Sequence, residues 1–147
     1  MRLSTRGRYA LRSMVDLALW GNDGPVSRRE LAARQQISSP YVAQLFRRLV
    51  AEGLARGVKG PGGGYALARP PETISAGDVV RAVEGPIELV RCVVPGSGDP
   101  CKRTGGCVTR LLWRRMTDAV VEILDSVTLQ DLCEEARCLS ETGARKR

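Results

Sequence analysis

The sequence predicts a mainly α chain with a small β-wing: a winged helix-turn-helix over residues 1–70 plus a long helix near residues 108–127. Three observations carry that reading. Capped helical patterns succeed one another up to residue 52, a glycine-rich hairpin follows at once, and an uninterrupted amphipathic stretch lies beyond it.

The first helix covers residues 6–20. Ala10, Met14, Leu17 and Ala18 form one apolar stripe and Leu11, Val15 and Leu19 a second, so burial on more than one side is expected. Gly21-Asn22-Asp23-Gly24-Pro25 ends it with turn chemistry. Ser27, with Glu30 three residues on, makes a capping box for a short helix over residues 28–34. After the turn Gln35-Gln36-Ile37, Ser38 or Ser39 caps the next helix, and Pro40 suits its first turn, where an N–H would have no partner anyway. Val42, Leu45, Phe46, Leu49 and Val50 form its core-facing stripe, and Gly53 stops it. Leu54-Ala55-Arg56 and Tyr65-Ala66-Leu67 read as strands around a loop so rich in glycine that its backbone can approach a ligand closely.

Pro70-Pro71 marks a boundary. A second unit, residues 71–107, holds a linking helix within residues 73–84, capped by Ser75, and an irregular cysteine-bearing loop. On the long helix, Val108, Leu112, Met116, Ala119, Val120, Ile123 and Val127 keep one apolar side. Such a side needs a partner surface, either a second copy, which would make this a dimerisation helix, or the rest of the chain. Thr128 caps a last short helix, closing a third unit over residues 108–136. Residues 137–147 are expected to be a disordered basic tail.

Charge separates the halves. Residues 1–69 carry twelve Lys and Arg against four Asp and Glu, whereas residues 70–147 carry eleven against twelve. The whole net charge of +7 thus sits in the N-terminal half, as expected if that half meets a polyanion. Histidine is absent, which excludes histidine-based nucleophile systems and histidine metal sites. Lysine occurs only at positions 59, 102 and 146 and no paired-carboxylate cleft is suggested, so an enzyme is not expected. No apolar run approaches the ~20 residues that span a membrane. The N-terminus lacks the apolar stretch of a secretory signal, and a cytoplasmic protein is expected.

In a helix-turn-helix the second helix enters the major groove, its N-terminal residues nearest the base edges. Here that helix opens with Ser38, Ser39, Pro40, Tyr41 and Gln44, and its core stripe leaves Tyr41, Gln44, Arg47 and Arg48 facing outward. Gln bonds an adenine edge, Tyr packs on a thymine methyl or reaches a phosphate, and Arg holds phosphate or guanine. Arg28, at the start of the preceding short helix, joins this set. In the wing, Arg56 and Lys59 flank Pro61, Gly62 and Gly63, and can place a cation in the minor groove or on its phosphates. The plainer alternative is an amphipathic helix with a solvated basic face and a flexible turn. The capped helix before and the glycine loop after favour double-stranded DNA.

Cys92, Cys101 and Cys107 are separated by eight and five residues. In a reducing compartment, clustered cysteines suggest metal or redox chemistry more than a disulfide. Thiolates suit an iron–sulfur cluster and zinc alike, and the glycines of the loop let backbone N–H groups approach cluster sulfurs. Cys133 and Cys138, five residues apart, do not share a helix face and are read as ordinary thiols.

The run Met1-Arg2-Leu3-Ser4-Thr5-Arg6-Gly7-Arg8-Tyr9-Ala10, then Ile37-Ser38 through Tyr41, Gln44-Leu45-Phe46, Leu49, and Val58-Lys59-Gly60-Pro61-Gly62-Gly63-Gly64-Tyr65 resemble the IscR/NsrR family of bacterial repressors. The likeness continues through Asp78–Glu84 and the cysteine loop to about residue 132. It implies a homodimeric winged-helix regulator with a long crossing dimer helix, a near-palindromic operator, and in many members an iron–sulfur cluster. The spacing of the first two cysteines is wider than in IscR-type members. Where some members carry a histidine ligand, this chain has Arg110, and where NsrR relatives offer an N-terminal carboxylate it has Arg8. The fourth ligand must come from elsewhere, a carboxylate, a small exogenous molecule or another thiol, and Asp99, Glu84 and Glu88 are the nearby carboxylates. A [4Fe–4S] cluster on Cys92, Cys101 and Cys107 is favoured over a histidine-ligated [2Fe–2S] one. A cluster-free regulator of the same fold and a zinc-stabilised adaptor are the alternatives.

Overall fold

The computed structural model describes residues 3–93, 96, 101–103 and 105–145. Helix α1 (Thr5–Trp20) opens under Ser4, whose hydroxyl accepts from the Gly7 N–H. It is the hub of the molecule: Ala10, Met14 and Leu17 are fully buried, while Tyr9, Leu11, Val15 and Ala18 pack against the same core. Helix α2 (Arg28–Gln35) starts at the Ser27–Glu30 capping box and ends on Gln36, a left-handed residue at φ 55°. Helix α3 (Ser39–Ala51) is capped by Ser38 rather than Ser39, and Pro40 lies in its first turn. Val42, Leu45, Phe46 and Leu49 are buried, but Val50, expected inside, is 40% exposed. At 100° per residue it lies beyond Phe46 at the edge of the stripe, where the core no longer reaches.

Strands β1 (Ala55–Val58) and β2 (Gly64–Leu67) pair antiparallel from Ala55 opposite Leu67 to Val58 opposite Gly64. Each runs further toward the tip than the sequence suggested, leaving residues 59–63 as the turn. Val26 exchanges two backbone hydrogen bonds with Tyr65, which fixes the start of α2 beside the wing. Tyr65 also stacks on Phe46, with ring centroids 4.2 Å apart, tying the wing to α3.

Helix α4 (Ala76–Glu84) starts at the expected Ser75 cap, after Thr73 and Ile74. Pro71–Thr73 form a 3-10 turn, Ile74 is extended and fully buried, and the Ser75–Asp78 capping box sets the start. Helix α5 (Val108–Ser126) packs on α4 through Arg81, whose Nη2 donates to both Asp125 carboxylate oxygens at 2.6 and 2.7 Å. Gly77 makes this approach possible, since a Cβ there would occupy the place of the Asp125 carboxylate. Helix α6 (Leu129–Arg145) is long, and this corrects the expected short helix with a disordered tail from residue 137. The Thr128–Asp131 pair caps it, and the run Gln130–Ala136 is rich in helix formers, so nothing stops the helix early. Its first turns return to the core: Leu129 and Cys133 are buried, and Leu129 shares one core with Ile74, Val79, Val83 and the winged-helix residues. The boundary expected at Pro70 therefore does not divide the core, because the α4 stripe and the second apolar side of α1 need each other's cover. On α5, by contrast, Val108, Leu111, Leu112 and Ile123 are half or more exposed. No helix of the described residues is long and apolar enough to cross a membrane.

Candidate nucleic-acid interface and cysteine loop

Helices α2 and α3 form the helix-turn-helix, with the wing at their side. Gln44, Arg47, Arg56, Lys59 and Arg28 are exposed, and their side chains enter no hydrogen bond or ion pair among the described residues. They are open to a ligand. Tyr41 is half-buried and held edge-on by Tyr9 at 6.2 Å, so α1 braces it. Ser38 spends its hydroxyl on the cap, accepting from the Tyr41 N–H at 3.3 Å, and Ser39 and Pro40 form the first turn.

Arg48 is exposed as expected, and it also ties α3 to α4. Its Nη1 donates to the Val83 carbonyl at the end of α4 at 2.8 Å, and Arg6 of α1 donates to the same oxygen at 3.3 Å. Arg6 was not singled out in the sequence, and its only cue was the basic run Arg2, Arg6, Arg8. With Tyr41, Gln44, Arg47 and Arg48 it lines a cavity of about 250 Å³ on the reading face of α3. Five cationic or hydrogen-bonding groups around one hollow form an anion-accepting surface.

The wing adds a second hollow, of about 390 Å³, between Arg28 and Lys59 and floored by Gly63 and Tyr65. Glycine is required at two places here. A Cβ on Gly63 would strike the Val58 and Gly60 carbonyls, and one on Gly64 (φ +156°) would strike the Val26 carbonyl. Pro61 and Gly62 are exposed at the tip.

The cysteine loop starts in a 3-10 turn, Arg91–Val93, holding half-buried Cys92. It ends on Cys107, the N-cap residue of α5. The Cys107 thiol shares a hydrogen bond with Thr109 Oγ1 at 3.2 Å. That bond, the nearby Arg110 N–H and the charge of Arg103 hold its pKa below the ordinary thiol value. A thiolate at a helix N-terminus is a ready metal ligand. Arg110 joins the two ends of the loop, its Nε donating to the Cys92 carbonyl at 2.7 Å. Cys101 is exposed. Among the described residues no three His, Cys, Asp or Glu side chains gather closely enough to hold a metal ion, so Cys92, Cys101 and Cys107 do not converge. The donor chemistry fits a thiophilic cluster; closing the ligand sphere requires the loop carrying Cys101 to fold in.

Of the carboxylates weighed as a fourth ligand, Glu84 is engaged elsewhere. Its Oε1 accepts from the Gly7 N–H at 2.8 Å and from the Ser4 hydroxyl, capping α1. Glu88 is exposed, and Asp99 lies outside the described residues. Arg8 is turned to Thr5. Cys133 is buried against the Val15 carbonyl, and burial raises its pKa, whereas Cys138 is exposed.

The sequence model of the Rrf2 family, described as iron-dependent transcriptional regulators, matches residues 3–135. The HTH-type transcriptional regulator IscR of Escherichia coli is 38% identical over 143 residues, covering 97% of this chain and 86% of that protein. Among solved structures, CymR, the global cysteine regulator of B. subtilis, is 40% identical with a TM-score of 0.74, covering 92% of this chain and 98% of the other. IscR of T. potens is 36% identical with a TM-score of 0.75, covering 92% and 88%.

Proposed function

The chain belongs to the Rrf2 family of transcriptional regulators, and on that premise we propose a homodimeric, cytoplasmic repressor whose grip on DNA is set by an iron–sulfur cluster on Cys92, Cys101 and Cys107. Its relatives regulate transcription and are not enzymes. The observation that carries the DNA reading is the unpaired reading face: Gln44 and Arg47 exposed on α3 beside Arg6, with Arg28 and Lys59 in the adjoining hollow. Gln44 and the braced Tyr41 are assigned to base edges. Arg47, Arg28, Arg56 and Lys59 are assigned to phosphates, with Pro61, Gly62 and Gly63 letting the wing backbone come close. Paired through the exposed apolar side of α5, two such faces read half-sites about 34 Å apart, hence a near-palindromic operator.

When bound, a cluster supplies a redox- and ligand-sensitive centre; [4Fe–4S] is favoured because the chain has no histidine for the alternative. The chain itself supplies a route from loop to reading face. Residues 85–91 lead from Cys92 back to Glu84 and Val83, and there Glu84 caps α1 while the Val83 carbonyl receives Arg48 of α3 and Arg6 of α1. A shift of the loop is therefore felt at α3. Such control requires the two loop states to differ in DNA affinity.

A second reading, a cluster-free regulator that senses through its thiols, is favoured by two observations. The three thiols do not converge, and Cys107 is biased toward thiolate. Anaerobic isolation separates the two. A coloured protein with iron and sulfide in equal numbers is expected; a colourless, iron-free one supports the thiol reading, and bound zinc alone supports an adaptor.

A further inference from the structure

Cys92 and Cys107 lie on different elements, and one side chain bridges them. Arg110 projects from the first turn of α5. Its Nε donates to the Cys92 carbonyl at 2.7 Å, and its backbone N–H donates to the Cys107 carbonyl at 3.2 Å. Arg110 forms no ion pair with a carboxylate among the described residues. Its charge is thus left for whatever anionic group the loop presents.

We propose that Arg110 is a positioning residue: it clamps the first cysteine of the loop to the helix that carries the third, so that the two thiols address one ligand. The proposal rests on the cluster reading above. Arginine suits the task for two reasons. Its planar guanidinium is charged at every relevant pH, so the clamp does not let go. It also keeps further N–H donors free for sulfur ligands, and a positive charge beside a cluster favours its reduced, more negative form. Without the clamp, bringing Cys92 and Cys107 together carries the chain-closure entropy of their separation in sequence. Cys101 lies within that loop, so the clamp also narrows the space in which the middle thiol must be found.

The test uses the full chain with Arg110→Gln and Arg110→Lys, prepared anaerobically. One arm needs no metal. The apoprotein is equilibrated with reduced and oxidised glutathione, and the Cys92–Cys107 disulfide is counted by mass mapping. The two cysteine thiols are oxidised, and one glutathione disulfide is reduced to two glutathiones. Losing one charged hydrogen bond lowers the effective concentration of the two thiols about tenfold in Arg110→Gln, and Arg110→Lys recovers most of it. In the second arm, iron release to a chelator from Arg110→Gln is about tenfold faster, and its midpoint potential is lower than that of Arg110→Lys. A glutamine variant with unchanged effective concentration overturns the proposal. So does one whose helical signal falls, since Arg110 would then be a residue of folding. Wild-type protein that takes up no iron refutes the cluster reading alone, and the glutathione arm still decides the role of Arg110.

Discussion

Gln44 and Lys59 represent two kinds of grip, and their variants behave differently. Gln44→Ala relaxes base preference at one operator position by about 1–3 kcal/mol. Lys59→Ala weakens binding to all sequences and reduces the salt slope by about 1, as measured by DNA titration across salt concentrations. Equal, sequence-independent losses from both contradict the assignment. Arg48 separates from them again. Its bond to the Val83 carbonyl makes Arg48→Met a stability lesion of about 1 kcal/mol in denaturant unfolding, on top of any loss of salt slope from its place in the reading-face hollow. The thiols divide in the same way. Cys107, held toward thiolate by Thr109, alkylates faster at neutral pH than Cys133, whose pKa burial pushes up. Because the folded Cys133 resists ionisation and the unfolded one does not, its contribution to stability is present below the ordinary thiol pKa. It is lost as pH rises through the raised value. Sequence made Gln44 and Tyr41 legible because helical period alone fixes their face. It hid Arg48 and Arg6, because their partner is a carbonyl 35 and 77 residues away.

Elements were legible where their ends carry local chemistry. The Ser27–Glu30 box lies where the spacing placed it, and so does the Ser75 cap. Glu30 and Asp131 both have lowered pKa values from their cap hydrogen bonds, chiefly to Ser27 and Thr128. Their contribution is present above the ordinary carboxylate pKa and lost as pH falls through the lowered value, so helical signal frays at α2 and α6 first in acid titration. The length of α6 was not legible, since its exposed second half carries no apolar pattern that marks where the helix ends. The wing depends on contacts that no local pattern encodes: Tyr65 on Phe46, and Gly64 against the Val26 carbonyl. Phe46→Ala removes a fully buried ring and costs about 3–5 kcal/mol in unfolding. Gly64→Ala displaces the wing from α2 and lowers DNA affinity by more than it lowers global stability; the reverse ranking contradicts the wing's role.

For the whole molecule, α1 joins the DNA-reading half to α4 and α6 in one core, while α5 leaves an apolar side uncovered. In the proposed dimer a second copy covers that side. Ile123→Asp together with Leu111→Asp is expected to yield a monomer by sedimentation, with operator affinity reduced to that of a single half-site. The charge asymmetry and the helix order made this architecture legible in the sequence. The state of the cysteine loop was not, because Cys92, Cys101 and Cys107 depend on a ligand or on loop closure to meet. The central claim is that the loop governs the reading face through Val83 and Glu84. It is tested most directly by anaerobic titration of one operator duplex with cluster-loaded protein and with the same sample stripped by chelator, iron and sulfide being counted in both. The account predicts dissociation constants at least about tenfold apart. Equal affinities, with the loaded sample holding its full iron, would contradict it.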